Sequence, residues 1–156
     1  MADEQEFTVL GVRYDDRSGC PIIVLKESEN GRVFGIFISK LNVYSALVAS
    51  DPKKRLERAT RPLSHDFALA LVEAGGLQIE RVVIDRLTDE GVFIAAVEVR
   101  SREGEIARLD ARPSDAIPLA LGAGAPVVVA EEVIANVTFY PLEELPYREI
   151  KPEDLA

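Results

Sequence analysis

The stretch Ile106-Ala107-Arg108-Leu109-Asp110-Ala111-Arg112-Pro113-Ser114-Asp115-Ala116-Ile117 joins a predicted strand to a predicted helix. Residues 106–111 follow a glycine-containing turn and are predicted to form the strand. Pro113 suits the first turn of a helix, so residues 114–121 are predicted to form the helix, which Gly122-Ala123-Gly124 ends. The uninterrupted apolar run 126–130 then predicts a strand covered on both faces, followed by a short helical turn.

Further strands are predicted on the N-terminal side of this junction. Residues 82–86 and 92–100 are joined by the turn Asp89-Glu90-Gly91, and residues 102–105 form the next turn. Closer to the N-terminus, strands are predicted at 6–14, 22–25 and 33–38, with an Asn30-Gly31 pair that favours a tight hairpin. Helices are predicted over residues 39–50 and from about residue 64 to Ala74. Short turns between consecutive strands indicate antiparallel pairing.

The two halves of the chain repeat this order of elements. An offset of about 72 residues aligns Gly19 with Gly91, and one further residue aligns Asn42 with Asp115 at the starts of two predicted helices. This pattern predicts an internal duplication of a three-strand-plus-helix unit, with chance similarity of two generic units as the alternative. The N-terminus of a helix carries free N–H groups that suit anions such as phosphate, and the two helix entrances are expected to be pseudo-symmetric.

Composition limits the classes of function. A chain of 156 residues with 47% hydrophobic residues is expected to fold as one globular domain. An acidic N-terminus, the lack of a long apolar segment and a single cysteine, Cys20, predict a soluble cytoplasmic protein with no membrane partner. The net charge of −9 opposes non-specific attraction to nucleic acid, so any such binding requires a local site or a metal bridge.

The C-terminal segment differs in composition from the rest of the chain. Residues 136–156 contain Pro141, Pro146 and Pro152 among acidic residues. Proline resists both helix interiors and central strands, so this segment is expected to be an extended and poorly fixed tail. The predicted division of the chain is therefore a domain over residues 1–135 and a tail over residues 136–156.

The first candidate site lies at the strand-to-helix junction. Asp110 and Asp115 are possible ligands of a divalent ion such as Mg²⁺, which proteins often hold with one or two carboxylates and substrate phosphate oxygens. Arg112 is suited to clamping a phosphate, with the Ser114 hydroxyl beside it. The alternative is structural: Ser114 or Asp115 caps the helix, and Arg112 pairs with Asp110 or another acid.

The second candidate site is Arg61-Pro62-Leu63-Ser64-His65-Asp66, at another predicted helix entrance. His65, the only histidine in the chain, is a candidate general base beside the carboxylate of Asp66. Arg61 is a candidate phosphate ligand. The alternative again is structural, because a lone histidine near a helix start more often caps or packs.

These two motifs, followed by Gly124-Ala125-Pro126-Val127 and Glu131-Glu132-Val133, resemble those of the bifunctional nuclease domain family, as does the early turn Ser18-Gly19-Cys20-Pro21. The resemblance runs from about residue 7 to residue 134. It implies an α+β fold with coiled, mixed sheets and flanking helices, and a nuclease activity toward RNA and DNA. The family usually has a glutamate where this chain has Asn42, which removes one possible metal ligand.

Two functions follow as hypotheses. In the first, the chain is a metal-assisted phosphodiesterase acting on RNA or DNA: Asp115 with Asp110 or Asp66 binds the ion, His65 assists water, and Arg112 and Arg61 stabilise phosphate charge. In the second, the same fold is a non-catalytic protein-interaction or regulatory module. Exposed strand edges in a small sheet also make a homo-oligomer a reasonable expectation.

Overall fold

The computed structural model describes residues 3–56 and 60–155 as one mixed sheet with helices packed on it. The eight-stranded sheet has the order β3-β2-β1-β7-β4-β5-β6, and β8 pairs with β1. The elements, in chain order, are β1 (Glu4–Asp15), β2 (Cys20–Glu27), β3 (Val33–Phe37), α1 (Val43–Ser50), α2 (Ser64–Ala74), β4 (Gln78–Leu87), β5 (Phe93–Arg100), β6 (Ile106–Ala111), α3 (Pro113–Ala123), β7 (Val127–Ala130), α4 (Glu131–Ile134) and β8 (Arg148–Glu149). The predicted α+β class is confirmed.

Two antiparallel triplets of strands make up most of the sheet. β1, β2 and β3 form one triplet, and β4, β5 and β6 form the other. β7 lies between them, antiparallel to β1 and parallel to β4. Each triplet is followed by a helix, α1 or α3, as the proposed repeat requires, but the duplication itself stays a prediction.

Glycine sets the predicted turns. In the β4–β5 turn, Gly91 has φ +86° and donates its N–H to the carbonyl of Thr88, and Gly104 does the same to Ser101 in the β5–β6 turn. Both glycines adopt the left-handed region that other residues rarely enter. These local turns fix the antiparallel pairing that the sequence predicted.

The main core lies between the sheet and the layer formed by α1 and α3. Val82, Val97 and Val129 project from the sheet into the same apolar cluster as Ala46 of α1 and Ile117 of α3. α2 packs on α3, but its apolar residues Phe67 and Leu71 are 59% and 58% exposed. The side of α2 that carries these two residues therefore faces outward. No helix in the described part of the chain is long and apolar enough to cross a membrane.

Pro118 lies inside α3, which begins at Pro113, one residue before the predicted start at Ser114. Pro118 therefore falls beyond the first turn and gives no N–H to the preceding turn. Its side chain is buried beside Ile117. Burial of this apolar face offsets the missing hydrogen bond.

The expectation of a poorly fixed C-terminal tail is wrong. Leu145 and Tyr147 pack on a small apolar cluster on the outer side of β2 and β3, and Tyr140 bridges to Val33. The Arg148 guanidinium lies 4.4 Å from the centre of the Tyr14 ring and bonds Asp154 at 2.8 and 3.0 Å. Apolar anchors spaced between the prolines hold the segment, although its overall composition is acidic.

The face of the sheet opposite the helices carries a ladder of ion pairs. Arg81 of β4 contacts Glu4 of β1 and Glu98 of β5, each at 2.6 Å. Arg108 of β6 then contacts Glu98 at 2.6 Å and Asp85 at 3.0 Å. The hydrogen bonds from Arg81 and Arg108 hold the pKa of Glu98 below its usual value. This ladder ties four strands together on the side away from α1 and α3.

Candidate functional site

The entrances of α1 and α3 open onto one cleft of about 270 Å³. Ser39 and Asn42 line it from the α1 side, and Arg112 and Ser114 line it from the α3 side. The apolar part of the wall comes from strand ends and from the β4–β5 turn, and includes Ile36, Phe37, Ile38, Gly91, Val92, Phe93 and Pro113. Because β3 leads into α1 and β6 leads into α3, and the two helices pack together, both helix N-termini lie at this cleft.

The α3 entrance places a cation and a hydroxyl at the cleft. Arg112 is the extended residue before the helix, and Pro113 takes the first helical position. The guanidinium of Arg112 donates from Nε and Nη2 to the two carboxylate oxygens of Asp115 at 2.8 and 3.1 Å. This contact raises the pKa of Arg112, which stays charged, and fixes the direction of its side chain. Ser114 is 8% exposed. Among the described residues Arg112 bonds only Asp115, so its other N–H donors are available.

The α2 entrance holds a second polar cluster. His65 is 8% exposed, its Nε2 lies 3.3 Å from Asp66 Oδ1, and its buried Nδ1 has no hydrogen-bond partner within the described residues. Asp66 Oδ2 accepts the N–H of Leu63 at 2.8 Å and the Nη2 of Arg55 at 3.0 Å. Asp66 therefore caps α2. Arg61 is exposed, and its carbonyl accepts Arg55 Nη1 at 3.4 Å.

The electrostatics of this second cluster have clear causes. Burial lowers the pKa of His65, although the nearby charge of Asp66 acts in the opposite direction. Burial also acts to raise the pKa of Asp66, but the Leu63 N–H and the Arg55 guanidinium together lower it. His65 is thus neutral at neutral pH beside an ionised carboxylate. A neutral, buried imidazole of this kind packs against its neighbours and has little contact with bulk water.

The residues proposed from the sequence lie in separate places. Arg112 and Ser114 line the cleft, whereas His65 and Asp66 are not among its lining residues. Asp110 shares the strand face of Arg108, which bonds Glu98 on the side opposite the helices. Asp115 belongs to α3, which packs on the other face.

The described carboxylates form no large cluster of metal ligands. Within residues 3–56 and 60–155, no three or more His, Cys, Asp or Glu side chains group in a way that fits a metal ion. Both oxygens of Asp115 are already bonded to Arg112. Asp110 and Asp115 as ligands of a divalent ion therefore stay a prediction, one that would need substrate phosphate oxygens or water to complete the ligand set.

Sequence reasoning missed several contributors to these sites. Phe37, which is 53% exposed, and Val92 line the cleft, but nothing in the sequence indicates that the β4–β5 turn lies beside the α1 entrance. Arg55, the partner of Asp66, belongs to a basic segment with no motif. The sequence does carry a signal for the capping role of Asp66. Asp66 lies three residues after Leu63, and an acid at the third helical position commonly accepts the N–H of the cap residue.

Comparison with known proteins places this chain in a family. The family model described as "Bifunctional nuclease domain" matches residues 23–141. An uncharacterized protein of Mycobacterium tuberculosis strain H37Rv is 32% identical over 131 residues, which cover 84% of this chain and 74% of that protein. An uncharacterized protein of the strain CDC 1551 / Oshkosh matches with the same identity and coverage. The chain therefore belongs to the bifunctional nuclease domain family.

Proposed function

We propose that this chain hydrolyses phosphodiester bonds of RNA or DNA, and that the cleft between the entrances of α1 and α3 receives the phosphate. The observation that carries the proposal is the meeting of Arg112 and Ser114 with Ser39 and Asn42 at two helix N-termini. Free N–H groups, a guanidinium and small polar side chains are the donors that phosphate oxygens require. Family membership supports the same class of chemistry.

Three polar residues of the cleft, Arg112, Ser114 and Asn42, have a role in this proposal. Arg112 binds the phosphate with the donors that Asp115 leaves free, and Asp115 holds the guanidinium in place. Ser114 donates its hydroxyl, and Asn42 offers its amide from the opposite wall. Phe37 presents an exposed ring beside these groups, and aromatic rings of this kind stack on unpaired bases. A single-stranded substrate suits this arrangement, because the phosphate and the adjacent base reach different walls of the same cleft.

His65, Asp66 and Arg61 remain candidates at a distinct entrance, with Asp66 acting as a cap rather than facing the cleft. The roles above are those that side chains of the cleft can take without a metal ion. Dependence of cleavage on Mg²⁺, with Asp110 and Asp115 as its ligands, is a separate prediction that the assay measures.

The test is cleavage of end-labelled single-stranded RNA and DNA by the purified full chain, with Mg²⁺, Mn²⁺ or a chelator. Arg112→Ala is expected to lower the rate by about 100-fold, the loss typical of removing one group that stabilises charge in the transition state. Arg86→Ala removes the same charge from an exposed residue outside the cleft and is expected to leave the rate unchanged. Equal rates for the parent and Arg112→Ala would remove the cleft from the proposal.

A non-catalytic interaction module is the second candidate function. The exposed apolar side chains of Phe67 and Leu71 on α2 favour it, because such residues commonly mark protein contacts when they lie together. The cleavage assay separates the two functions. A folded parent that cleaves neither nucleic acid under any metal condition supports the interaction module.

A further inference from the structure

The outer edge of β6, which is the side of Ile106–Ala111 that faces away from β5, is unpaired in the described part of the chain. β6 pairs with β5 over its whole length with no shift of register, and it contains neither a bulge nor a proline. Ile106 and Leu109 are 47% and 53% exposed. A regular, exposed edge of this kind is a template for pairing with another strand.

The pattern of hydrogen bonds fixes which backbone groups face outward. Ser101 donates its N–H to the carbonyl of Glu105 at 2.8 Å at the start of the β5–β6 ladder. Because bonded and non-bonded pairs alternate along an antiparallel ladder, Ala107, Leu109 and Ala111 bond to β5. Ile106, Arg108 and Asp110 therefore present their N–H and C=O groups to the outer edge.

The charges on these outward positions select one register for self-pairing. Two copies related by a two-fold axis pair antiparallel. For backbone hydrogen bonds to form between them, residues whose N–H and C=O face outward must lie opposite residues of the same kind. The axis therefore passes through a residue of β6 and not between two residues. An axis at Arg108 opposes two arginines, and an axis at Asp110 opposes two aspartates. An axis at Ile106, Ala107 or Ala111 slides most of one strand past the end of the other. An axis at Leu109 sets Arg108 of each copy opposite Asp110 of the other.

We propose that two copies of this chain form a dimer through the outer edge of β6, with Leu109 on the two-fold axis. The side chain of Asp110 has no ion pair or hydrogen bond among the described residues, so it is available to Arg108 of the second copy. Arg108 already contacts Asp85 and Glu98, and the added carboxylate extends that ladder across the interface. The two sheets join into one continuous sheet. This inference does not depend on the proposed activity.

Cysteine cross-linking tests the register. In a Cys20→Ser background, Leu109→Cys places two thiols on the axis in a non-hydrogen-bonded pair, where Cα atoms are about 4.5 Å apart and a disulfide is feasible. Ile106→Cys is the matched control, because its two copies lie six residues apart along the strands, about 20 Å. Mild oxidation is expected to convert most of the Leu109→Cys chain to a disulfide-linked dimer and to leave Ile106→Cys monomeric on non-reducing gels.

Charge reversal tests the same contact without cysteine. Asp110→Arg sets like charges opposite each other and is expected to raise the dimer dissociation constant at least about tenfold in sedimentation equilibrium. Glu105→Arg makes the same change of charge just outside the paired residues and is expected to have little effect. Thermal unfolding checks that each variant is folded. A monomeric parent at millimolar concentration, equal cross-linking of the two cysteine variants, or an unchanged dissociation constant for Asp110→Arg would each overturn the proposal.

Discussion

Phe139 is expected to anchor the C-terminal segment, and Phe139→Ala tests that role. The ring stacks on Phe7 with centroids 6.4 Å apart and meets Phe34 edge-on at 5.8 Å. The Arg32 guanidinium lies over the Phe139 ring, 4.1 Å from its centre. Because Phe139 is half-buried, Phe139→Ala is expected to cost less unfolding free energy than the roughly 3–5 kcal/mol typical of replacing a fully buried phenylalanine.

The expected loss is about 2–3 kcal/mol of unfolding free energy, with the aromatic pairs adding to the apolar area removed. For a chain of this size such a loss lowers the melting temperature by about 5–10 °C. Urea unfolding followed by circular dichroism measures it, with the slope of the transition unchanged. Leu142→Ala, at a side chain 44% exposed, is the control and is expected to cost less than about 0.5 kcal/mol. A loss below about 0.5 kcal/mol for Phe139→Ala would refute the packed segment.

Three further predictions concern charge and titration. Because Arg81 and Arg108 hold the pKa of Glu98 low, its contribution to stability is present above the unfolded pKa of about 4.3 and is lost as pH falls through the lowered folded value. Glu98→Gln is therefore expected to cost about 1–2 kcal/mol at pH 7 and to flatten the acid dependence of urea midpoints. An NMR titration of the single histidine is expected to give a pKa for His65 below 6.5, and stability should decline as pH falls below that value. Asp115→Asn is expected to change the melting temperature by less than about 2 °C, since the Arg112 and Asp115 side chains are 64% and 52% exposed; a larger shift in a thermal scan would make the pair structural.

The fold was predictable from the sequence where local chemistry determines it. Gly91 and Gly104 mark turns that require positive φ, and Pro113 marks the start of α3. The insertion of β7 between β1 and β4 was not predictable, because it joins residues far apart in the chain. The packing of residues 136–155 was missed because a few apolar anchors, such as Tyr147, outweigh an acidic, proline-containing composition.

The candidate site was predictable only in part. The motif around Arg112 indicated a strand leading into a helix entrance, and the offset to Asn42 indicated a second entrance of the same kind. The separation of His65 from this cleft depends on how α2 packs, which no local motif encodes. The face of Asp110 follows from the two-residue period of a strand once the face of Arg108 is known.

An NMR titration with a non-cleavable single-stranded oligonucleotide tests most directly whether the cleft receives the phosphate. The largest amide shifts are expected in the first turns of α1 and α3, at residues such as Val43, Ser114 and Asp115. The same titration of Arg112→Ala is expected to show these shifts only at much higher ligand concentration. Shifts concentrated at His65 and Asp66, with none at Ser114, would contradict the account and move the phosphate site to the α2 entrance.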